Sequence, residues 1–357
     1  MHRITSPTPA DKACPVTGSM SLPRATSMAC ALCRCIALAV ALSLGINAVA
    51  NDVKRIKASP SNGFNFDYYL YIPPNADSRK DLFLVVEPNN TGFAHNNLKK
   101  HANEARRAAS SDFYIGRYVA NALAYPLLIP AFPRSKTSWQ VYTHALDRDA
   151  MLQKHTLIER LDLQLIAMVN DATKRLLQMG FSVNKKMLLA GFSASGSFAN
   201  RFTAIHPNQV LAVAAGGVNG LLILPVRQIK GFELNYPIGI NDMEGLLQVT
   251  FQAKAFASTP QLYFMGSEDA NDAVPFSDAY SDDERSIIYD IIGKQMMPTR
   301  WDYCRQIYQN NGINAQIVTY PTVGHEIPKQ IKDDIVRFFA RQTSSHPQDK
   351  PIPLRPS

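Results

Sequence analysis

Leu188-Leu189-Ala190-Gly191-Phe192-Ser193-Ala194-Ser195-Gly196 is an apolar run that stops on a serine set among small residues. A stretch of helical character, 197–205, follows at once. An apolar strand, a tight turn carrying one serine and a helix form the local pattern of a nucleophile elbow, which holds the hydroxyl out at the strand's C-terminal end. Ser193 is therefore the candidate nucleophile. The pattern departs from G-x-S-x-G, because Ser195 stands where the second glycine is usual and Gly196 follows. A serine is small enough for the close strand–helix packing around such a turn. Ser195 itself has no glycine two residues before it and falls in the first helical turn, so Ser193 is preferred.

Working outward, short apolar runs alternate with helical periodicity. Strands are expected at 64–72, 82–87, 125–131, 186–190, 210–215, 261–265 and 315–320. Helices are expected at 102–109, 113–122, 157–179 and 329–341. The continuous run Leu82-Phe83-Leu84-Val85-Val86-Glu87 suits a buried parallel strand. Strands alternating with helices imply an α/β fold, a mostly parallel sheet with helices on both faces. Right-handed crossovers put the strands' C-terminal ends on one edge, where active sites of open α/β sheets lie. The irregular segment 216–247, with Pro225, Pro237 and several glycines, is expected to fold over that edge as a short lid.

A serine hydroxyl needs a base within hydrogen-bond reach and a third group to orient that base. Two loops on the same edge supply them. One is Met265-Gly266-Ser267-Glu268-Asp269-Ala270-Asn271-Asp272, directly after an apolar strand. The other is Val323-Gly324-His325-Glu326, between the last strand and the last helix. His325 is the candidate base. Asp269 is the favoured acid, three residues past Gly266, and Asp272 is the alternative. The oxyanion hole is expected to use the amide of Ala194, at the helix N-terminus, where free N–H groups and the dipole favour negative charge. A second amide, from Asn90 or Thr91, would come from the loop after the 82–87 strand. Trp139, Tyr142 and His144 follow the 125–131 strand and could shape a substrate pocket or simply pack a long loop.

The chain order Ser193, Asp269, His325 resembles the α/β-hydrolase superfamily and differs from the chymotrypsin and subtilisin orders. Within it, Gly191-Phe192-Ser193, the Asp269 loop and Gly324-His325 are similar to those of secreted bacterial serine esterases of the polyhydroxyalkanoate-depolymerase and feruloyl-esterase kind. The resemblance implies a carboxylic ester hydrolase working through an acyl-enzyme on a small or polymeric ester, without cofactor. The alternatives are a serine peptidase of prolyl-oligopeptidase type and a catalytically silent hydrolase fold used for binding.

The remaining features bound the setting. Residues 36–45 form an apolar core after Arg34, and Ala48-Val49-Ala50 offers an A-x-A cleavage signal. Residues 1–50 therefore read as a secretory signal peptide with an over-long start, and Met20 or Met28 is an alternative start. Export to the periplasm or beyond the cell is expected, with no stable membrane span after cleavage. Cys14, Cys30, Cys33 and Cys35 lie in this leader, which leaves Cys304 alone in the 51–342 hydrolase domain, without an internal disulfide. The polar, proline-rich 343–357 reads as a disordered tail. The composition is that of a globular protein, 46% hydrophobic and 18% charged. The formal charge of +8 includes Arg3, Lys12, Arg24 and Arg34 of the leader. No basic run with interleaved aromatics points to nucleic acid, and no clustered His/Cys/Asp spacing points to a metal.

Overall fold

The apolar runs order themselves into one eight-stranded sheet in the computed structural model, which describes residues 53–344. In chain order the strands are β1 (Lys54–Ile56), β2 (Tyr68–Tyr71), β3 (Val85–Val86), β4 (Leu127–Pro130), β5 (Met187–Phe192) and β6 (Val210–Gly216). A small hairpin of β7 (Gln228–Ile229) and β8 (Phe232–Glu233) precedes β9 (Gln261–Gly266) and β10 (Ala315–Tyr320). The sheet order is β1-β2-β4-β3-β5-β6-β9-β10. β1 and β2 are antiparallel at one edge, and the strands from β4 to β10 run parallel. Parallel neighbours require crossovers, and the intervening helices supply them.

Alternation along each strand divides the core in two. Leu188, Ala190, Ala212, Ala214, Leu262 and Phe264 face the helices Leu98–Ser110, Ile115–Leu123 and Lys329–Ser344. Leu189, Val213, Ala215, Tyr263 and Met265 join a larger cluster with the helices Leu161–Gln178, Ala194–Ile205 and Trp301–Asn310. Every residue of Ala194–Ile205 is buried, so the helix after Ser193 is core and not surface. Cys304 is free and buried in the larger cluster.

Several expectations change in extent. The 64–72 run joins the sheet only over Tyr68–Tyr71, with Phe64 bridged separately to Ser59. The 82–87 run is laddered only at Val85–Val86, yet Leu188 N–H donates to Leu84 O and Glu87 N–H to Leu128 O, so its extended path reaches Glu87. The helix Asp282–Ile291, with a Ser281/Glu284 capping box, and the helix Trp301–Asn310 were not anticipated. Segment 216–247 carries more buried residues than its irregular sequence suggests. Val218, Leu222, Leu224, Leu234 and Tyr236 are buried in the larger core, because its apolar residues must leave water and the sheet's flank offers the nearest partners. It fills core with these residues, and its Asn219 reaches Ser193 at the strand ends. The last helix continues to Ser344, which takes Thr343 and Ser344 out of the expected tail. The leader 1–50 and the rest of that tail lie outside the described residues. Among the described residues, no helix is long and apolar enough to cross a membrane.

Candidate active site

β5 ends at Phe192, and Ser193 takes φ 61° and ψ −130° before the helix begins at Ala194. A non-glycine residue at positive φ is strained and persists only where its surroundings hold it. Here backbone contact holds it. Ser193 N–H donates to Gly216 O on β6 at 3.0 Å. A Cβ at Gly191 would stand 2.2 Å from Ser195 O, and one at Gly196 would stand 2.5 Å from Gly216 O. The second close approach thus falls at Gly196, one place later than the usual motif. Ser195 closes the turn: its hydroxyl donates to Phe192 O at 2.8 Å and accepts from Phe192 N–H at 3.0 Å. Ser195 is thus buried and engaged by the Phe192 backbone, although it borders the same cleft as Ser193.

The acid and base loops leave β9 and β10, which are adjacent. A Cβ at Gly266 would lie 2.1 Å from Val323 O, so only glycine lets these loops touch. Ser267 N–H donates to Tyr320 O, and Glu268 N–H donates to Val323 O. Asp269 is then buried with Oδ2 2.9 Å from His325 Nδ1, while Oδ1 accepts from Asn271 N–H at 2.9 Å. A carboxylate on Nδ1 fixes the proton there and leaves Nε2 with its lone pair. Nε2 accepts from Asn271 Nδ2 at 3.0 Å. Ser193 Oγ faces Asn219 Oδ1 at 3.5 Å, the long limit of a hydrogen bond. Serine and histidine line one cleft, but each is engaged by an asparagine. Asp272 is placed elsewhere, paired with the buried Arg300 and accepting from Val274 N–H.

The cleft has a volume of about 240 Å³. Its walls include Phe113, Tyr114, Phe192 and Ile327, with Glu87, Asn89 and Asn90 on the β3 side. The Phe192 ring lies 4.6 Å from the His325 ring, centroid to centroid. Ala194 opens the elbow helix, so its N–H has no partner within that helix. Of the two loop candidates, Asn90 lines the cleft. Thr91 turns inward instead: its N–H points to His144 Nδ1 at 3.5 Å and its hydroxyl to His101 Nδ1 at 2.8 Å.

Of the two roles left open for Trp139, Tyr142 and His144, their contacts are those of loop packing. His144 is buried, and its Nε2 donates to Phe132 O at 2.8 Å. Burial drives its pKa down to about 3, so it is a neutral strut. Asn89 clamps the same place, its Nδ2 donating to Phe132 O and its Oδ1 accepting from Phe132 N–H. The Tyr142 ring sits under the Arg134 guanidinium, 3.5 Å from it. Trp139 is 43% exposed and lines no part of the cleft. The long loop that carries these residues packs behind the β3 loop, and none of the three lines the cleft.

No family model and no curated protein matches the sequence. Solved structures do match in fold. Poly(aspartic acid) hydrolase-1 from Sphingomonas sp. KT-1 superposes with a TM-score of 0.52 at 16% identity, covering 82% of this chain and 98% of that one. A poly(3-hydroxybutyrate) depolymerase from Bordetella parapertussis gives 0.51 at 18% identity, covering 87% and 95%. The chain has an α/β-hydrolase fold.

Within the α/β-hydrolase fold, the edge that carries Ser193, Asp269 and His325 is the one where the parallel strands end. Two residues at this edge were missed by the sequence reading. Glu87 is buried in the cleft wall, and Asn271 occupies His325 Nε2. The only signal for Glu87 was an acid closing an otherwise apolar strand. Asn271 gave none, since its role depends on a histidine 54 positions away.

Proposed function

We propose that this protein is an exported serine hydrolase that cleaves carboxylic esters, small or polymeric, through an acyl-enzyme. The observation that carries the reading is the strained Ser193 at the β5–helix turn, in one cleft with a histidine whose far nitrogen is bound by a buried aspartate. In the proposed reaction, His325 Nε2 exchanges Asn271 for Ser193 and takes the hydroxyl proton as Oγ attacks the ester carbonyl. Asp269 holds the tautomer and stabilises the imidazolium. The amide of Ala194, with that of Asn90, would bind the oxyanion. His325 then returns the proton to the leaving alkoxide, and water repeats the sequence on the acyl-enzyme. The apolar leader 36–45 with its Ala48-Val49-Ala50 signal supports export.

Labelling with a fluorophosphonate probe tests the reading. Wild type should label and Ser193→Ala should not. An unlabelled wild type would overturn the hydrolase, and a labelled Ser193→Ala would overturn the choice of serine. Asp269→Asn should lower kcat by roughly 10⁴-fold on p-nitrophenyl esters. Asp272→Asn should keep turnover while lowering the melting temperature, since it strands a buried arginine charge. Cleavage of peptide anilides in preference to esters would replace esterase by peptidase.

A further inference from the structure

Glu87 is the cleft's outlying feature. It ends the extended run through β3, is 5% exposed, and lines the same cleft as Ser193 and His325. One carboxyl oxygen, Oε2, accepts from Gly116 N–H at 2.7 Å, in the first turn of the helix Ile115–Leu123. Gly116 is needed for that contact, because a Cβ there would stand 2.8 Å from Oε2. A buried carboxyl without a cationic partner is costly, and most proteins avoid one. No lysine or arginine lines this cleft. Arg117, next along the helix, is turned onto the Tyr71 ring with its Nε toward Asp112. Three aromatic rings, Phe113, Tyr114 and Phe192, complete the walls. An acid sharing a cleft with aromatic rings is chemistry suited to an ammonium group, by charge-assisted hydrogen bond and by cation–π attraction.

We propose that Glu87 is a specificity-determining residue that selects esters whose acyl chain carries a protonated amine. The proposal rests on the ester-hydrolase reading of the same cleft. The acyl chain would enter beside Ser193 with its ammonium against the Glu87 carboxylate, while anionic acyl chains would be turned away. The Gly116 amide bonds the Glu87 carboxyl, and the titratable side chains that line the same cleft are Tyr114 and His325. Burial raises its carboxyl to about 7, against the smaller lowering effect of the Gly116 amide. Tyr114 is likewise pushed up, chiefly by burial. Glu87 therefore ionises across neutrality, and selectivity for an amine should grow as pH rises from 6 to 8.

The test compares kcat/KM for p-nitrophenyl 6-aminohexanoate with that for its isostere p-nitrophenyl heptanoate. Wild type at pH 8 should favour the amine, and Glu87→Gln, which can still accept from Gly116 N–H, should lower the ratio by roughly tenfold or more. The wild-type ratio should fall as pH drops below about 7, and the variant's should stay flat. Equal ratios in wild type and Glu87→Gln would overturn the proposal and leave Glu87 a helix cap. If Glu87→Gln does not fold, Glu87→Met at equal cleft volume reads the same ratio. Should neither ester be turned over and no fluorophosphonate label appear, the hydrolase reading fails by itself. The thermal shift produced by n-hexylammonium then decides the amine site: a rise in wild type that Glu87→Gln lacks upholds it, and no difference overturns it.

Discussion

The loops after β5 and after β3 meet at one cleft but are held there in opposite ways. The β5 elbow is held by backbone against backbone: Gly191 against Ser195, Gly196 against Gly216, and Ser193 N–H on Gly216 O. The β3 loop is held by side chains from afar: His144 and His101 on Thr91, and Asn89 on Phe132. The first kind of support is written in small residues at short spacing. The second joins positions tens of residues apart and is buried polar throughout. Backbone packing tolerates no added atom, whereas a polar network tolerates a size change and fails when a partner is lost or charged.

The comparison breaks most sharply at Gly196→Ala. The new Cβ would push the elbow helix off β6, and overpacking of this kind costs roughly 1–3 kcal/mol. Displacing Ser193 should cost about 10²-fold in labelling rate, read alongside the melting temperature. His144→Leu attacks the other loop. It should lower kcat by roughly tenfold, less than the 10²–10³ of an outright lost oxyanion donor, with KM nearly unchanged in ester kinetics.

Acid separates the two loops more finely. The folded pKa of His144 lies below its ordinary value, so its contribution to stability is full above about 6.5 and is lost as pH falls toward 3. His101 is lowered too, by burial, and works in the same direction. Glu87 runs the other way. Its folded pKa is raised, so its contribution is full below its ordinary value and is lost as pH rises through about 7. Chemical melts across pH should show the acid-side decline flattened in His144→Leu and the neutral-side decline flattened in Glu87→Gln. A pH profile unchanged by either variant would remove both groups from the account. The smallest effect belongs to Thr91→Val, which strands His101 Nδ1. It should cost about 1–3 kcal/mol of stability and leave ester turnover within about threefold of wild type.

The same contrast explains what was legible in the sequence. The elbow, the acid loop and the base loop each follow a strand of regular apolar pattern, and their special residues lie within a few positions of its end. Ser193, Asp269 and His325 could therefore be named, and Asp269 pairs with His325 as favoured over Asp272. Trp139, Tyr142 and His144 were left with two roles, pocket or packing, because nothing local says that their loop folds behind Asn89. The core residues of segment 216–247 were not legible, because its prolines and glycines mask apolar residues that irregular backbone can still bury. Glu87 was invisible as anything but a strand end, since its meaning lies in what surrounds it.

Gly266 allows Val323 to lie directly against the acid loop, and two backbone hydrogen bonds rivet the turns together. Asp269 and His325 thus share one bearing, with Phe192 alongside the swivelling ring. In the proposed reaction, moving His325 from Asn271 to Ser193 would ask for torsion about side-chain bonds, a picosecond-to-nanosecond event in partly exposed groups. Loop closure, by contrast, runs over microseconds to milliseconds. On the proposed reaction, the waiting and reacting states on this side of the cleft would differ in side-chain torsion and not in loop position, so the exchange would add no wait to a turnover.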